Sequence, residues 1–469
     1  MCLTLMAKGE EPASFYTKGQ KEVYFLLWDL KFEQANALLA QESQRYPSHP
    51  ANWVLKSLGL TFLLLLEGDN LHYYQAKEKE NQWLDSVSLG KKDAKHAYAK
   101  ALIKLHWGLL KTVYGEGLSG ALAMRQVFLQ LKQHKKGQSS PHDNVYYAAF
   151  EVALSNIPEQ YQWAAQLVGL QQDEKEGWSI LERTRHDHDE VVTFEAKLFS
   201  LLLKNYLQYP REEIIASCSE LSAAYPQKGV QLVCIWLFDK CNASGKAKEL
   251  LPRLEEKGQY PYFHYIKGLT AYQLLEKENA KNEFLKYVGQ SKSVHYKKDA
   301  LYRLSLLYGL EGDSIKSEKY KERVKKQGSS FYYADKQALK MAYKQNPPSA
   351  LLLAKMAYEG GLFSVSLDHL ATFSPKELRI QVETYYLKAK NYQGMGNEEE
   401  AKRYYRNAIQ ACPREGLYYG PMACWYLAKE AKKKGDLGLM NRYLDTLGLF
   451  KNYEHRKDIQ EKVVKLKRE

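Results

Sequence analysis

Disulfide chemistry has little to work with in this chain. Six cysteines, at positions 2, 218, 234, 241, 412 and 424, are spread over 469 residues without a CxxC pair. That is too sparse for a disulfide-framed domain or a zinc knuckle. Cys234 and Cys241 share a helix face and read as buried free thiols. Long apolar runs are also missing: Leu58–Leu66 is the longest, against the roughly 20 residues that a membrane-spanning helix needs. The phosphate-loop, zinc-protease and nucleophile-elbow signatures (GxxxxGK with Ser or Thr, HExxH, GxSxG) are absent, so the chain is read as a non-enzyme needing no cofactor and no metal.

What is present is a repeated helical pattern. From Leu378 to Pro413, Ala389 and Tyr392 lie on one face of a first helix and Gly396 closes it. Ala401, Tyr405 and Ala408 then follow at i, i+4 and i+7 on a second helix, which Pro413 cannot continue. Small residues let the two backbones approach, and rings fill the space beside them. This spacing resembles the 34-residue tetratricopeptide repeat, with its small, aromatic and proline positions in that order.

The frame recurs. From Pro261 it meets Gly268, Tyr272, Ala280 and Phe284; from Lys298, Leu304, Ser305, Tyr308, Gly312 and Val324. From Pro347 it meets Ala354, Ala357, Gly361, Leu370 and Phe373; from Pro421, Ala428, Ala431, Gly435, Leu444 and Leu447. One such unit cannot bury its apolar face alone, so the expected fold is all-α, an α-α superhelix of stacked antiparallel pairs, a TPR-like solenoid. Residues 1–14 are set apart as a leader, 15–250 as a divergent TPR-like half and 251–469 as tandem repeats.

Tyrosine is common, 36 residues against 15 phenylalanines, which suits rings that bury a face and still bring a hydroxyl to a partner. The net charge of +13 comes from 68 basic and 55 acidic residues, mostly scattered. From Gly420 onward twelve basic residues face seven acidic ones, read as a solvated, lysine-rich cap on the last repeat.

Several motifs are better explained without chemistry. Gly115-Glu-Gly-Leu-Ser-Gly120 matches GxGxxG, but the residues before it are helical rather than a strand, so the glycines are read as the turn and small positions of a repeat. His186 and His188 sit at i, i+2 and would point to opposite faces of a helix. The HDHDE run is therefore read as an acidic first turn for the helix that follows. Asn242-Ala-Ser244 fits a glycosylation sequon and equally an interhelix turn. The segment from His134 to Asn144 reads as an exposed loop, and Gly68 to Gly90 as a connecting helix.

Ile157, Pro158, Trp163, Leu170 and Gly177, with the opening FEQANALLAQ and the ADKQALK at Ala334–Lys340, resemble the Iml2/TTC39-type tetratricopeptide proteins and their bacterial relatives. That resemblance covers most of residues 15–450 and implies helical architecture without catalytic residues. The bacterial members it points to are usually exported proteins of the Bacteroidota. This fits MCLTLMAKGEEP as the remnant of an export signal, with a cytoplasmic leader as the alternative.

The expected role is a protein-binding scaffold holding a peptide or helix in the concave groove. In the repeat frame the groove positions fall on Tyr265, Tyr272, Tyr302, Lys355, Tyr358, Tyr386, Lys390, Trp425, Lys429 and Lys432. Rings alternate with lysines, which favours an acidic segment with apolar anchors; no small-molecule substrate is expected. The lysine and asparagine set of the chaperone-tail carboxylate clamp is not reproduced. The alternative is a basic solenoid that binds nucleic acid or another polyanion.

Overall fold

The computed structural model describes residues 14–90, 93–135, 140–156, 173–254 and 260–468. They form an all-α superhelix of TPR-like hairpins. Its C-terminal part contains five hairpins: α14 (Pro261–Gln273) with α15 (Lys277–Gln290), α16 (Lys297–Leu310) with α17 (Ser314–Lys326), α19 (Ser349–Glu359) with α20 (Phe363–Ala371), α21 (Leu378–Gly394) with α22 (Glu398–Ala411), and α23 (Tyr419–Lys433) with α24 (Leu437–Gly448). A single helix, α18 (Tyr333–Ala342), is inserted between the second and third pairs, and α25 (Arg456–Arg468) follows the last.

Four of the five hairpins cross at two small residues twelve apart: Gly268 and Ala280, Ser305 and Ser317, Ala354 and Ser366, Ala389 and Ala401. Ala280, Ser305, Ala354, Ser366 and Ala389 have no exposed surface. A Cβ on Gly268 would strike the Phe284 ring. In two hairpins the second member is serine, and its hydroxyl donates to the carbonyl of the first: Ser317 to Ser305 at 2.8 Å and Ser366 to Ala354 at 2.7 Å. The next element then locks on, since Asn346 donates to the Ser317 hydroxyl and Asn391 to that of Ser366.

The turns between paired helices need left-handed backbone, supplied by Gly312, Gly361, Gly396 and Gly435 at φ between 76° and 82°. Aspartate or asparagine then caps the second helix: Asp313, Asn397 and Asp436 each accept the backbone N–H three residues on.

The N-terminal part comprises α1 (Lys18–Trp28), α2 (Phe32–Arg45), α3 (Ala51–Glu67), α4 (Asn70–Ala76), α5 (Glu78–Ser88), α6 (Ala94–Val113), α7 (Gly117–Lys135), α8 (Pro141–Ser155), α9 (Glu174–Thr184), α10 (Glu190–Tyr206), α11 (Arg211–Ala224), α12 (Lys228–Lys240) and α13 (Ser244–Leu250). Here α1 returns to helices far along the chain. The Tyr24 and Tyr146 hydroxyls both donate to Glu195 Oε1, at 2.9 and 2.6 Å. Asp189, the N-cap of α10, receives Ser14, Lys21 and His142. One apolar core runs from Phe15 to Met356, crossing the 250/251 boundary read from the sequence, and smaller clusters fill the last hairpins.

Other expectations meet the structure as follows. Gly115 takes φ +90° in the α6–α7 turn, with Gly120 packed against the Gly108 carbonyl. His186 and His188 precede Asp189 in the turn before α10, and among the described residues no group of metal ligands assembles. Asn242 is in a turn, its amide donating to the Tyr358 and Glu359 carbonyls. The loop read over 134–144 is overturned at both described ends: the preceding helix runs to Lys135, and Ser140 caps α8 through a box with Asp143, so that helix already runs from Pro141. Ile157, Pro158, Trp163 and Leu170 lie outside the described residues, whereas Gly177 packs on Ala148 and Val152. Cys218, Cys234, Cys241, Cys412 and Cys424 are buried free thiols. Among the described residues no helix is long and apolar enough to cross a membrane.

Gly361→Ala places a Cβ on the Asn242 carbonyl as well as straining a φ of +81°, and is expected to lower stability by at least about 2 kcal/mol. Gly435→Ala shares the backbone strain but opens onto free space, and should cost only about 1 kcal/mol in the same calorimetric comparison. Burial holds the Glu195 carboxyl up at about 7, against the opposing effects of His142, Tyr146 and Tyr24. The folded state therefore retains that proton where the unfolded chain has lost it, so stability falls as pH climbs from about 5 to about 7. Glu195→Gln should flatten this slope by up to about 3 kcal/mol in denaturant titrations across that range.

Candidate partner-binding groove

The first helices of the last three hairpins bring one lysine among several rings. Lys390 of α21 extends to α23, where its Nζ donates to the Tyr426 hydroxyl at 3.0 Å and lies 4.7 Å from the ring centroid. Tyr358 of α19 lies on its other side, with the ring centroid 5.9 Å away. Tyr405 stacks on Tyr426 at 5.3 Å, and Tyr386 meets both Tyr405 and Tyr419 edge-on or tilted. Among the described residues no carboxylate pairs with Lys390. The ammonium is instead held by phenol oxygens and ring faces.

The electrostatics follow from that arrangement. Burial raises the Tyr386 and Tyr405 hydroxyls well above the ordinary phenol range. Burial pushes Tyr426 the same way, but the charges of Lys390, Lys462 and Lys429 outweigh it and hold its pKa below the usual value. Burial alone would depress Lys390, yet the Tyr426 and Tyr358 oxygens raise it, so it stays charged.

Helix α25 packs beside this cluster. Lys462 lies 5.1 Å from the centroid of the Trp425 ring, which also carries Lys429 at 5.5 Å. Lys462 Nζ then reaches Gln208 at the α10–α11 corner, 2.7 Å away and 254 residues earlier in the chain. Arg211, at the start of α11, donates to the Gly394 carbonyl at the end of α21. The α10–α11 corner, near the middle of the chain, is thereby tied to α21 and α25.

The ten residues expected to line the groove have different fates. Tyr265 and Tyr272 are each 3 % exposed and cannot meet a partner. The Tyr265 hydroxyl donates to Asp299 and its ring stacks on Tyr296, while Tyr272 lies beneath the Arg303 guanidinium. They are core residues because their helix packs there against α15 and α16 rather than against open space. Trp425 is 8 % exposed, covered by Lys462 and Lys429. Lys432 is bound to the Leu466 carbonyl of α25, and Lys355 is ion-paired with Glu383.

Tyr302, Tyr358, Tyr386 and Lys390 are half-buried, and Lys429 is exposed. Sequence reasoning missed Tyr426, Tyr405, Arg211 and Lys462. For Lys462 a signal was present: Ile459, Val463 and Leu466 recur at i, i+4 and i+7 and mark a docking helix rather than a solvated cap. Ile459 and Leu466 are indeed buried against the last hairpin.

No family model and no curated protein matches this chain. Among solved structures it is similar to the apo form of the quorum sensor NprR from B. thuringiensis, at 14% identity over 84% of this chain and 97% of that one, TM-score 0.29. It is also similar to yeast Tom70, at 11% identity over 96% and 94% of the two chains, TM-score 0.32, and to Cut9 with Hcn1, at 10% identity over 96% and 89%, TM-score 0.29. Likenesses this distant carry no argument about the role of the chain.

Tyr426 provides a spectroscopic check on the cluster. In an ultraviolet pH titration its phenolate is expected to form below the ordinary tyrosine range. That component should vanish in Tyr426→Phe and move to higher pH in Lys390→Met, which removes the nearest ammonium.

Proposed function

We propose that the protein is a non-catalytic scaffold whose first-helix face takes a peptide or helical segment of a partner protein, one that is acidic and carries apolar anchors. The observation that supports this most is Lys390: a lysine set among tyrosine rings, with no carboxylate partner among the described residues, is a place where an incoming anionic side chain gains a charge-assisted bond beside rigid contact surface. Half-buried Tyr302, Tyr358 and Tyr386 and exposed Lys429 extend the same chemistry along neighbouring helices. Rings supply contact area at small entropic cost, and the surplus of positive charge steers an acidic partner inward. The TPR-like hairpins suit such a role because stacked first helices present one continuous face.

The test is lysine-directed crosslinking of the full chain with whatever protein co-purifies from its source, mapped by mass spectrometry. Crosslinks to Lys355, Lys429 and Lys462 are expected, with loss of co-purification in Lys390→Glu. Crosslinks confined to Lys246, Lys319 and Lys402, with retention by that variant, would place the partner elsewhere and end this reading. Recovery of nucleic acid in place of protein, with affinity falling steeply in salt, would favour the polyanion alternative.

A further inference from the structure

Lys390 of α21, Lys429 of α23 and Lys462 of α25 converge on two adjacent residues, Trp425 and Tyr426. Lys390 bonds to the Tyr426 hydroxyl, while Lys429 and Lys462 share the Trp425 ring. Among the described residues none of the three is ion-paired. Asp458, one turn before Lys462, offsets part of their charge and also lies 3.5 Å from His455, and Glu430 acts on Tyr405. Arg211, which pairs with Glu212 at 2.6 Å, lies on the Tyr358 side.

Gathering like charges costs free energy that a folded chain normally avoids by interleaving carboxylates. This chain does interleave them elsewhere, as in Lys402 with Glu398 and Glu399, or Lys281 with Glu278 and Glu311. Burial lowers the Lys462 pKa and Lys429 and Lys465 push it the same way, while Tyr426 and Asp458 oppose them without restoring it. An anion among the three would relieve all of these costs together.

We infer that Lys390, Lys429 and Lys462, arranged about Tyr426 and Trp425, form a carboxylate-binding subsite that fixes the acidic residues of a bound peptide. The inference rests on the groove reading above and deepens it. A peptide is favoured over a free anion because the cations come from three helices with aromatic faces between them. A chain that alternates acidic and apolar side chains meets both, whereas a small ion meets only the charges. The C-terminal helix is thus part of the site, contributing Lys462, rather than a cap on the last repeat.

The experiment is fluorescence polarisation with the full chain and a labelled synthetic peptide of alternating glutamate and leucine. A lysine–leucine peptide, inorganic phosphate and a single-stranded oligonucleotide are the comparison probes. Lys462→Gln and Lys429→Gln are each expected to weaken the acidic peptide about tenfold, and to flatten its salt dependence. Lys326→Gln, an exposed lysine on α17, should change nothing. Equal binding by wild type, Lys462→Gln and Lys429→Gln would overturn the subsite while leaving the groove reading intact. Failure of the wild type to bind the acidic peptide, or equal binding of the lysine–leucine peptide, would overturn both. Phosphate competing at the affinity of the peptide, or the oligonucleotide binding more tightly through the same lysines, would overturn the peptide as the occupant.

Discussion

The distance between two helix backbones at a hairpin crossing is the constraint on which the rest of this molecule depends. Glycine, alanine or serine at paired positions twelve residues apart lets the helices close until a Cβ has no room, as the Phe284 ring against Gly268 demonstrates. Once that distance is set, the rings beside it have one place to go. Ala401 and Ala408 fix where Tyr405 lies, and Tyr405 in turn stacks on Tyr426 of the next hairpin. The small residues decide the geometry, and the aromatics transmit it from one repeat to the next.

Tyrosine rather than phenylalanine then has a consequence for polar groups. A buried phenol needs a partner, and up to α16 this chain supplies carboxylates: Glu195 for Tyr24 and Tyr146, Glu116 for Tyr73, Asp299 for Tyr265. In the last hairpins the partner of Tyr426 is a lysine. The difference matters because a carboxylate closes the network on itself, whereas an ammonium among phenols leaves donor capacity and net charge available. The same architectural rule therefore yields a carboxylate-centred network near α10 and a lysine-centred one near α21.

The hairpins were legible in the sequence because their determinants are local. Ala354, Ala389, Gly396 and Gly435 do their work through neighbours within the same 34-residue unit, and each occupies its expected place in the crossing or the turn. The N-terminal half was less legible because its determinants are distant. Nothing near Tyr24 indicates that its hydroxyl meets Glu195, 171 residues away, and nothing near Lys462 indicates Gln208. Groove residues were legible only in part for the same reason. A repeat frame assigns a face but not what covers it, so Tyr265 and Tyr272 were placed on a surface that α15 and α16 in fact fill.

The C-terminal helix shows how a charge pattern can mislead when read without its periodicity. Twelve basic residues after Gly420 look like solvation, and most of α25 does face water. Yet Ile459 and Leu466 anchor it on the last hairpin, and that anchoring sets the register of the lysine between them. Lys462 falls one turn after Ile459 and one turn before Leu466, so the apolar stripe that docks the helix also brings an ammonium onto Trp425. A helix docked only to cap the last repeat would be stabilised by carboxylates on this face, opposite Lys429 and Lys390. Its placing of a third cation there joins α25 to the Lys390 cluster, and makes that cluster a product of tertiary packing rather than of any single repeat.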